Sequence, residues 1–269
     1  MRLPTLFLLC FGAITAFGGV AMGQLRSHDV ALGLEKVGIT QNIGAQLPLQ
    51  EVFTNQAGNQ ATLADFLEGE LPVILTFNYA NCPQLCSLQL DALVGTLNKV
   101  PLLMGKDFQV VSVSVDPKET ADSFGAFRTR LLEGYSQESG PSAWQFLVGK
   151  ESAIQSVAKA AGFGYRFDPK REEFAHSAAL ILLGKDRTIN RYLGGLNYDP
   201  QTLRLSLIES SDGTVGSLFD QAFLTCFYYD PDSNSYAPVA LAFTRIGAAL
   251  TVIFLAGLLM RAFRRARRS

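Results

Sequence analysis

A chain of 269 residues, 48% hydrophobic and 17% charged, holds enough apolar material for one well-packed domain with appendages. Its net charge of −1 hides an asymmetry: Arg2 opens the chain and Arg261, Arg264, Arg265, Arg267 and Arg268 crowd its end, and without these six the balance is 17 basic against 24 acidic side chains, a net −7. An acidic body with no interleaved basic and aromatic patch argues against a nucleic-acid partner.

Residues 1–23 carry one positive charge, then the apolar run Leu3 to Ala21, and close on Ala21-Met22-Gly23. This pattern is expected of a secretory signal cleaved before Gln24; read instead as an uncleaved anchor, it still exports the domain behind it. Cys10 lies in the apolar run without the small residue that precedes a lipid-modified cysteine, and it is given no function. Residues 24–46, with Gly33, Gly38 and Gly44 and no firm period, read as a linker in which His28 is solvated. Thr62-Leu63-Ala64-Asp65 is a capping-box start for a short helix that Gly69 ends.

Val73 to Tyr79 then alternates as an apolar strand and runs into Asn81-Cys82-Pro83-Gln84-Leu85-Cys86, followed by a helical pattern to about Val100. Both cysteines are expected in the first turns of that helix. Unpaired N–H groups and the positive end of the dipole there favour the thiolate. Cysteines four apart share one helical face, close enough to bind a common metal ion or to close a disulfide.

Phe108 to Val115 reads as the next strand, ending at Asp116-Pro117, with a helix from about Thr120 to Leu132 after it. Tyr135 to Ser142 is loop-like, and Trp144 to Val148 is a short strand. Ser152-Ala153-Ile154-Gln155 reads as a second capping box for a helix that Gly162 stops. Ala178 to Leu183 and Thr188 to Leu193 form a hairpin around Gly184 to Arg187, and Asp199-Pro200 caps a helix running to about Ser210. Residues 47–210 thus form one α/β domain, a mixed sheet with helices on both faces. A membrane-proximal extension, 211–237, comes next. Pro238 to Met260 is long and apolar enough to be read as a transmembrane helix, with Arg245 near its outer end. Positive residues stay on the cytoplasmic side, so residues 261–269 are expected inside and the domain outside.

The strand and helix order, with cysteines at the end of the first core strand, resembles the thioredoxin fold. The resemblance narrows at four ordered motifs: Thr76-Phe77-Asn78-Tyr79-Ala80-Asn81-Cys82-Pro83-Gln84-Leu85-Cys86, Ser112-Val113-Ser114-Val115-Asp116-Pro117, Trp144-Gln145-Phe146-Leu147-Val148-Gly149 and Ala175-His176-Ser177. Together they look like the Sco (SenC) family of copper-binding, membrane-anchored assembly factors of cytochrome c oxidase. The resemblance covers roughly Leu47 to Ser210 and implies that Cys82, Cys86 and His176 bind a copper ion. It further implies that the copper-bearing subunit of the oxidase is the partner. It places the chain in the bacterial cytoplasmic membrane, with its domain on the extracytoplasmic side. Two thiolates and an imidazole suit copper, the soft sulfurs favouring Cu(I). Asp116, on the same sheet edge as Cys82, is placed either to tune the thiols and His176 or to form the turn before Pro117.

Ser87 after the second cysteine and Gln84-Leu85 between the pair depart from many members, as does an anchor at the C-terminal end. These features, with Leu224-Thr225-Cys226-Phe227-Tyr228-Tyr229-Asp230-Pro231, resemble an oxidase-linked bacterial branch of the family, where Cys226 is read as either an extra ligand or a packed thiol. The competing function is a thiol–disulfide oxidoreductase that reduces the acceptor's cysteines; its common Cys-x-x-Cys spacing is absent, and disulfide exchange needs no distal histidine. A peroxidase on the same fold is disfavoured by Tyr79, three residues before Cys82, where such a site has threonine.

Overall fold

The computed structural model describes residues 37–67, 69–137, 140–212, 227–230, 235–238 and 240–266. In chain order these give β1 (Gly38–Ile39), β2 (Val52–Asn55), β3 (Gln60–Thr62), α1 (Leu63–Phe66), β4 (Val73–Asn78), α2 (Leu85–Leu97), β5 (Gln109–Ser114), α3 (Ala121–Glu133) and β6 (Trp144–Gly149). Then come α4 (Glu151–Ala160), β7 (Phe163–Asp168), β8 (Glu173–His176), β9 (Ala179–Leu183), β10 (Ile189–Gly194), α5 (Pro200–Ser210), β11 (Phe227–Asp230), β12 (Ser235–Pro238) and α6 (Ala240–Ala266).

A seven-stranded sheet in the order β10-β9-β4-β5-β6-β2-β3 forms the centre. β4, β5 and β6 run parallel, β9 pairs antiparallel with β4, and β2 antiparallel with β6. Every residue of β4 and β5 is buried, so both faces of the sheet are covered, as the mixed α/β reading expects. Two of the polar residues among them are paired within the sheet: Thr76 and Ser112 hydroxyls meet at 2.8 Å, and the Trp144 indole donates to Ser112 at 3.0 Å.

Thr62 and Asp65 form the expected reciprocal cap of α1, and Asp199 caps α5 by accepting from the Thr202 N–H. The cap expected at Ser152 is a correction. α4 starts at Glu151 with Lys150 as its cap residue, and the Gln155 amide donates to the Glu151 carboxylate instead of accepting from a serine N–H. An acidic residue in the first turn, favoured by the dipole, takes the place of a capping hydroxyl.

Two hairpins are additional to the sequence reading. β2 and β3 close one edge of the central sheet. β7 and β8 form, with β1, a separate three-stranded sheet in the order β1-β7-β8. Residues 37–46 run along the domain: Gly38–Ile39 pairs with Phe163–Gly164, and the Thr40 N–H donates to the Gly162 carbonyl at 2.8 Å. Gly162 has φ +60, and a Cβ there would meet the Thr40 carbonyl oxygen at 1.8 Å, so this docking requires glycine.

A helix occupies the stretch read as a membrane span, but among the described residues no helix is long and apolar enough to cross a membrane.

Candidate metal centre

Cys82 is not on the helix. It precedes Pro83, whose ring disfavours helical backbone in the residue before it, and α2 begins only at Leu85 with Gln84 as cap residue. The Gln84 side chain makes no capping bond. The Cys82 sulfur fills that role, accepting from the Cys86 N–H at 3.2 Å. The helix-start environment expected for both cysteines therefore survives in another form, with one thiol in the first turn and the other looped back over it.

The third group arrives from far along the chain. His176 ends β8, paired with Tyr165, and its Nε2 stands 3.3 Å from the Cys86 sulfur. Nδ1 lies 3.0 Å from the Ser177 carbonyl, which can only accept, so Nδ1 carries a proton and Nε2 is the atom turned toward the sulfurs. Cys86 is fully buried, His176 is 8% exposed and Cys82 is partly open to solvent. The three donor atoms lie within 4.8 Å of one another, the one such group among the described residues. Donors bound to one ion at about 2.0–2.3 Å stand at most about 4.6 Å apart, so only a small contraction would bring these onto a common metal.

Both cysteines are free thiols in very different surroundings. The hydrogen bond from Cys86, then the imidazole of His176 and the N–H groups of Cys86 and Gln84, hold Cys82 well below the usual thiol range, to about 3, against the opposing effect of burial. Burial first, and then the charge of Cys82 beside it, push the Cys86 thiol up. Of the two, the partly open Cys82 is the readier to lose its proton. Iodoacetamide is therefore expected to modify Cys82 of the reduced, metal-free chain at a rate nearly flat from about pH 8 to about pH 5. An ordinary thiol loses roughly a thousandfold of its thiolate over that interval. Mapping the modified residue by mass spectrometry checks this, and a rate that falls tenfold per pH unit would return Cys82 to the ordinary range.

An aromatic wall surrounds the trio. The Tyr79 ring meets the imidazole edge-on at 6.2 Å between centroids, and Phe163 lies 5.8 Å from it. The Tyr79 hydroxyl accepts from the Phe174 N–H at 3.2 Å, and burial followed by the nearby Cys82 charge keeps it protonated. Glu119 holds the loop that carries Cys82: one carboxylate oxygen accepts from the Ala80 N–H at 2.7 Å, the other from the Ser123 hydroxyl. Its place two residues after Asp116-Pro117 gave no sequence signal for this role.

Of the two readings of Asp116, the geometry favours the turn. Its Oδ1 accepts from the Lys118 N–H at 2.9 Å and its carbonyl from the Glu119 N–H at 3.0 Å. The residue also lines a groove of about 510 Å³ beside the Cys82 loop, with Tyr79, Asn81, Tyr165, Phe167 and Phe174. Cys226, Cys10 and His28 lie outside the described residues.

The mixed parallel and antiparallel sheet, with a cysteine pair at the strand-to-helix junction and a histidine delivered beside it, defines a thioredoxin-like domain that could hold a metal ion through Cys82, Cys86 and His176. Residues 48–208 match the SCO1/SenC family model, and the chain belongs to that family. Among solved structures, a protein of Aquifex aeolicus VF5 is 22% identical with a TM-score of 0.56, covering 64% of this chain and 96% of its own. Arabidopsis thaliana ScoI, solved with copper bound, is 21% identical with a TM-score of 0.50, covering 62% and 97%. A SCO1/SenC family lipoprotein of Bacillus anthracis str. Ames is 18% identical with a TM-score of 0.51, covering 65% and 99%. At these identities the likeness is one of fold. No curated protein sequence matches the chain.

Proposed function

We propose that this chain is a metallochaperone that takes up a copper ion through Cys82, Cys86 and His176 and hands it to the dinuclear copper site of a cytochrome c oxidase subunit. The observation that carries the reading is the convergence of two sulfurs and Nε2, from positions 4 and 90 residues apart, within 4.8 Å in a chain of the SCO1/SenC family. Two soft thiolates and one imidazole suit copper, and Cu(I) in particular. That Arabidopsis ScoI holds copper supports the same cargo here. Cys82, the open ligand, is where an incoming thiolate of the acceptor would enter. Bonds to Cys82, Cys86 and His176 would then be exchanged one at a time for bonds to the acceptor, with no net redox change.

The domain would stand on the outer face of a bacterial cytoplasmic membrane, held by the helix at its C-terminal side. The apolar side chains of α6, such as Val252, Ile253 and Phe254, are about two-thirds exposed at 66%, 67% and 66%, a surface that calls for an apolar surrounding. Arginines come after it, as the cytoplasmic end of a span requires. A reporter active only outside the cytoplasm should work when fused after Ser210 and be silent after Ser269; activity at Ser269 would reverse the orientation. The direct test of the cargo is to load the reduced full chain with Cu(I), expecting one copper per chain and loss of two titratable thiols. Copper bound with both thiols still titratable would remove Cys82 and Cys86 from the site.

One observation favours a second reading. A partly open, low-pKa thiol at Cys82 backed by the Cys86 thiol is the arrangement of an attacking and a resolving group. In that chemistry Cys82 opens an acceptor disulfide to a mixed disulfide and Cys86 then displaces it. Two electrons pass to the acceptor's thiols, and a Cys82–Cys86 disulfide is left behind.

A further inference from the structure

Beneath the three candidate ligands lies a buried amide pair, one member of which, Asn78, also reaches the Cys86 thiol. Gln89 comes three residues after Cys86 on α2 and is 1% exposed. Its Nε2 donates to the Ala179 carbonyl at 3.0 Å, and its Oε1 accepts from Asn78 Nδ2 at 3.2 Å. Asn78 is the last residue of β4, four before Cys82; Ala179 is the first of β9, three after His176. One side chain on the helix of Cys86 therefore joins the strand that leads to Cys82 and the strand that leaves His176.

The orientation of the pair is fixed by chemistry. A backbone carbonyl only accepts, so the Gln89 amide turns its NH2 to Ala179 and its oxygen to Asn78, which must answer with its own NH2. Asn78 Oδ1 is left without a partner in a side chain that is 0% exposed. A buried acceptor with no donor carries a desolvation penalty that two leucines of similar volume avoid. As packing the amides are therefore inferior to an apolar pair. What they add is direction, three segments locked at one relative position.

Resting on the reading that Cys82, Cys86 and His176 hold copper, we propose that Asn78 and Gln89 are positioning residues of the metal centre, whose buried hydrogen bonds set the three ligand-bearing segments at binding distance before the metal arrives. Outer partners of this kind orient ligands whose own side chains are free to rotate. The geometry they hold is the short Cys86 to His176 contact of 3.3 Å between a helix and a strand end.

Gln89→Leu alone strands Asn78, so the decisive variant is Asn78→Leu with Gln89→Leu, which removes both amides and leaves only the Ala179 carbonyl without its side-chain donor. In the full chain its urea midpoint is expected to stay close to that of the parent, the relieved Asn78 oxygen offsetting the Ala179 carbonyl that loses its donor. Its Cu(I) affinity, measured by competition with a chromogenic chelator, is expected to fall roughly ten- to a hundredfold. In the metal-free chain the His176 ring nitrogen signals in NMR should shift and broaden. An affinity within about twofold of the parent with unchanged His176 signals overturns the proposal. So does an affinity that falls only in step with the urea midpoint, which reduces the pair to fold support. If the parent chain itself takes up no copper, it is the metal reading that fails, and the His176 signals decide the role of the pair.

Discussion

Cys82→Ser and Cys86→Ser are each expected to lower Cu(I) affinity by more than the roughly 10–100-fold that a change outside the ligand set costs, because a single thiolate and one imidazole leave the ion under-coordinated and exchangeable. The fold should survive both changes. Serine at 82 still offers an oxygen to the Cys86 N–H, an ordinary helix cap, and serine at 86 keeps a hydroxyl facing His176 Nε2. Chelator competition gives the affinity, and thermal unfolding of the same samples shows that the loss is local. Copper held as tightly by either single variant would place the site elsewhere, with Cys226 the next residue to replace.

His176→Ala separates the chaperone from the reductase. Copper transfer needs the imidazole as a ligand that can be released, whereas disulfide exchange needs only an attacking thiolate, a leaving thiolate and access. The variant is expected to lose copper loading and oxidase assembly at limiting copper while its Cys82–Cys86 couple still cycles with a small dithiol. Excess copper should restore assembly in part, since mass action offsets a weakened site whose sulfurs remain. Oxidase activity and the rate of disulfide reduction, measured on the same strain and protein, give the answer. Assembly untouched in His176→Ala but abolished in Cys86→Ser would hand the function to the reductase.

Much of this architecture is written in local patterns. The buried strands at Val73 and Gln109, the reciprocal cap at Thr62 and the Asp199-Pro200 helix start all stand where periodicity and capping chemistry put them, because each depends on neighbours within a few residues. The β7–β8 hairpin carried a readable signal too: Phe163, Tyr165 and Phe167 alternate with Gly164, Arg166 and Asp168. β2 and β3 did not, being three or four residues long with Phe53 as their main buried anchor.

At the site, residue identities were legible and geometry was not. Cys82, Cys86 and His176 emerge from motif resemblance, yet nothing local brings His176 to the sulfurs. That meeting depends on the register of β8 against β7 and on Gln89 reaching Ala179 across 90 positions. The displacement of Cys82 from the helix was predictable from Pro83, but the sulfur's return as the helix cap is a tertiary outcome. Glu119 and Gln89 gave no signal because a lone acid in a loop and a lone amide in a leucine-rich helix are common in any sequence.

The spread of the donors along the chain has a consequence for quality control. Of the three candidate ligands, only Cys82 and Cys86 are neighbours before the domain folds; the His176 imidazole, 90 residues after Cys86, joins them when β8 has docked. An ion that required all three would be retained by native molecules and shed by misfolded ones, and binding it would in turn stabilise the folded chain. On the chaperone reading, copper would be loaded only onto folded molecules, with no separate inspector.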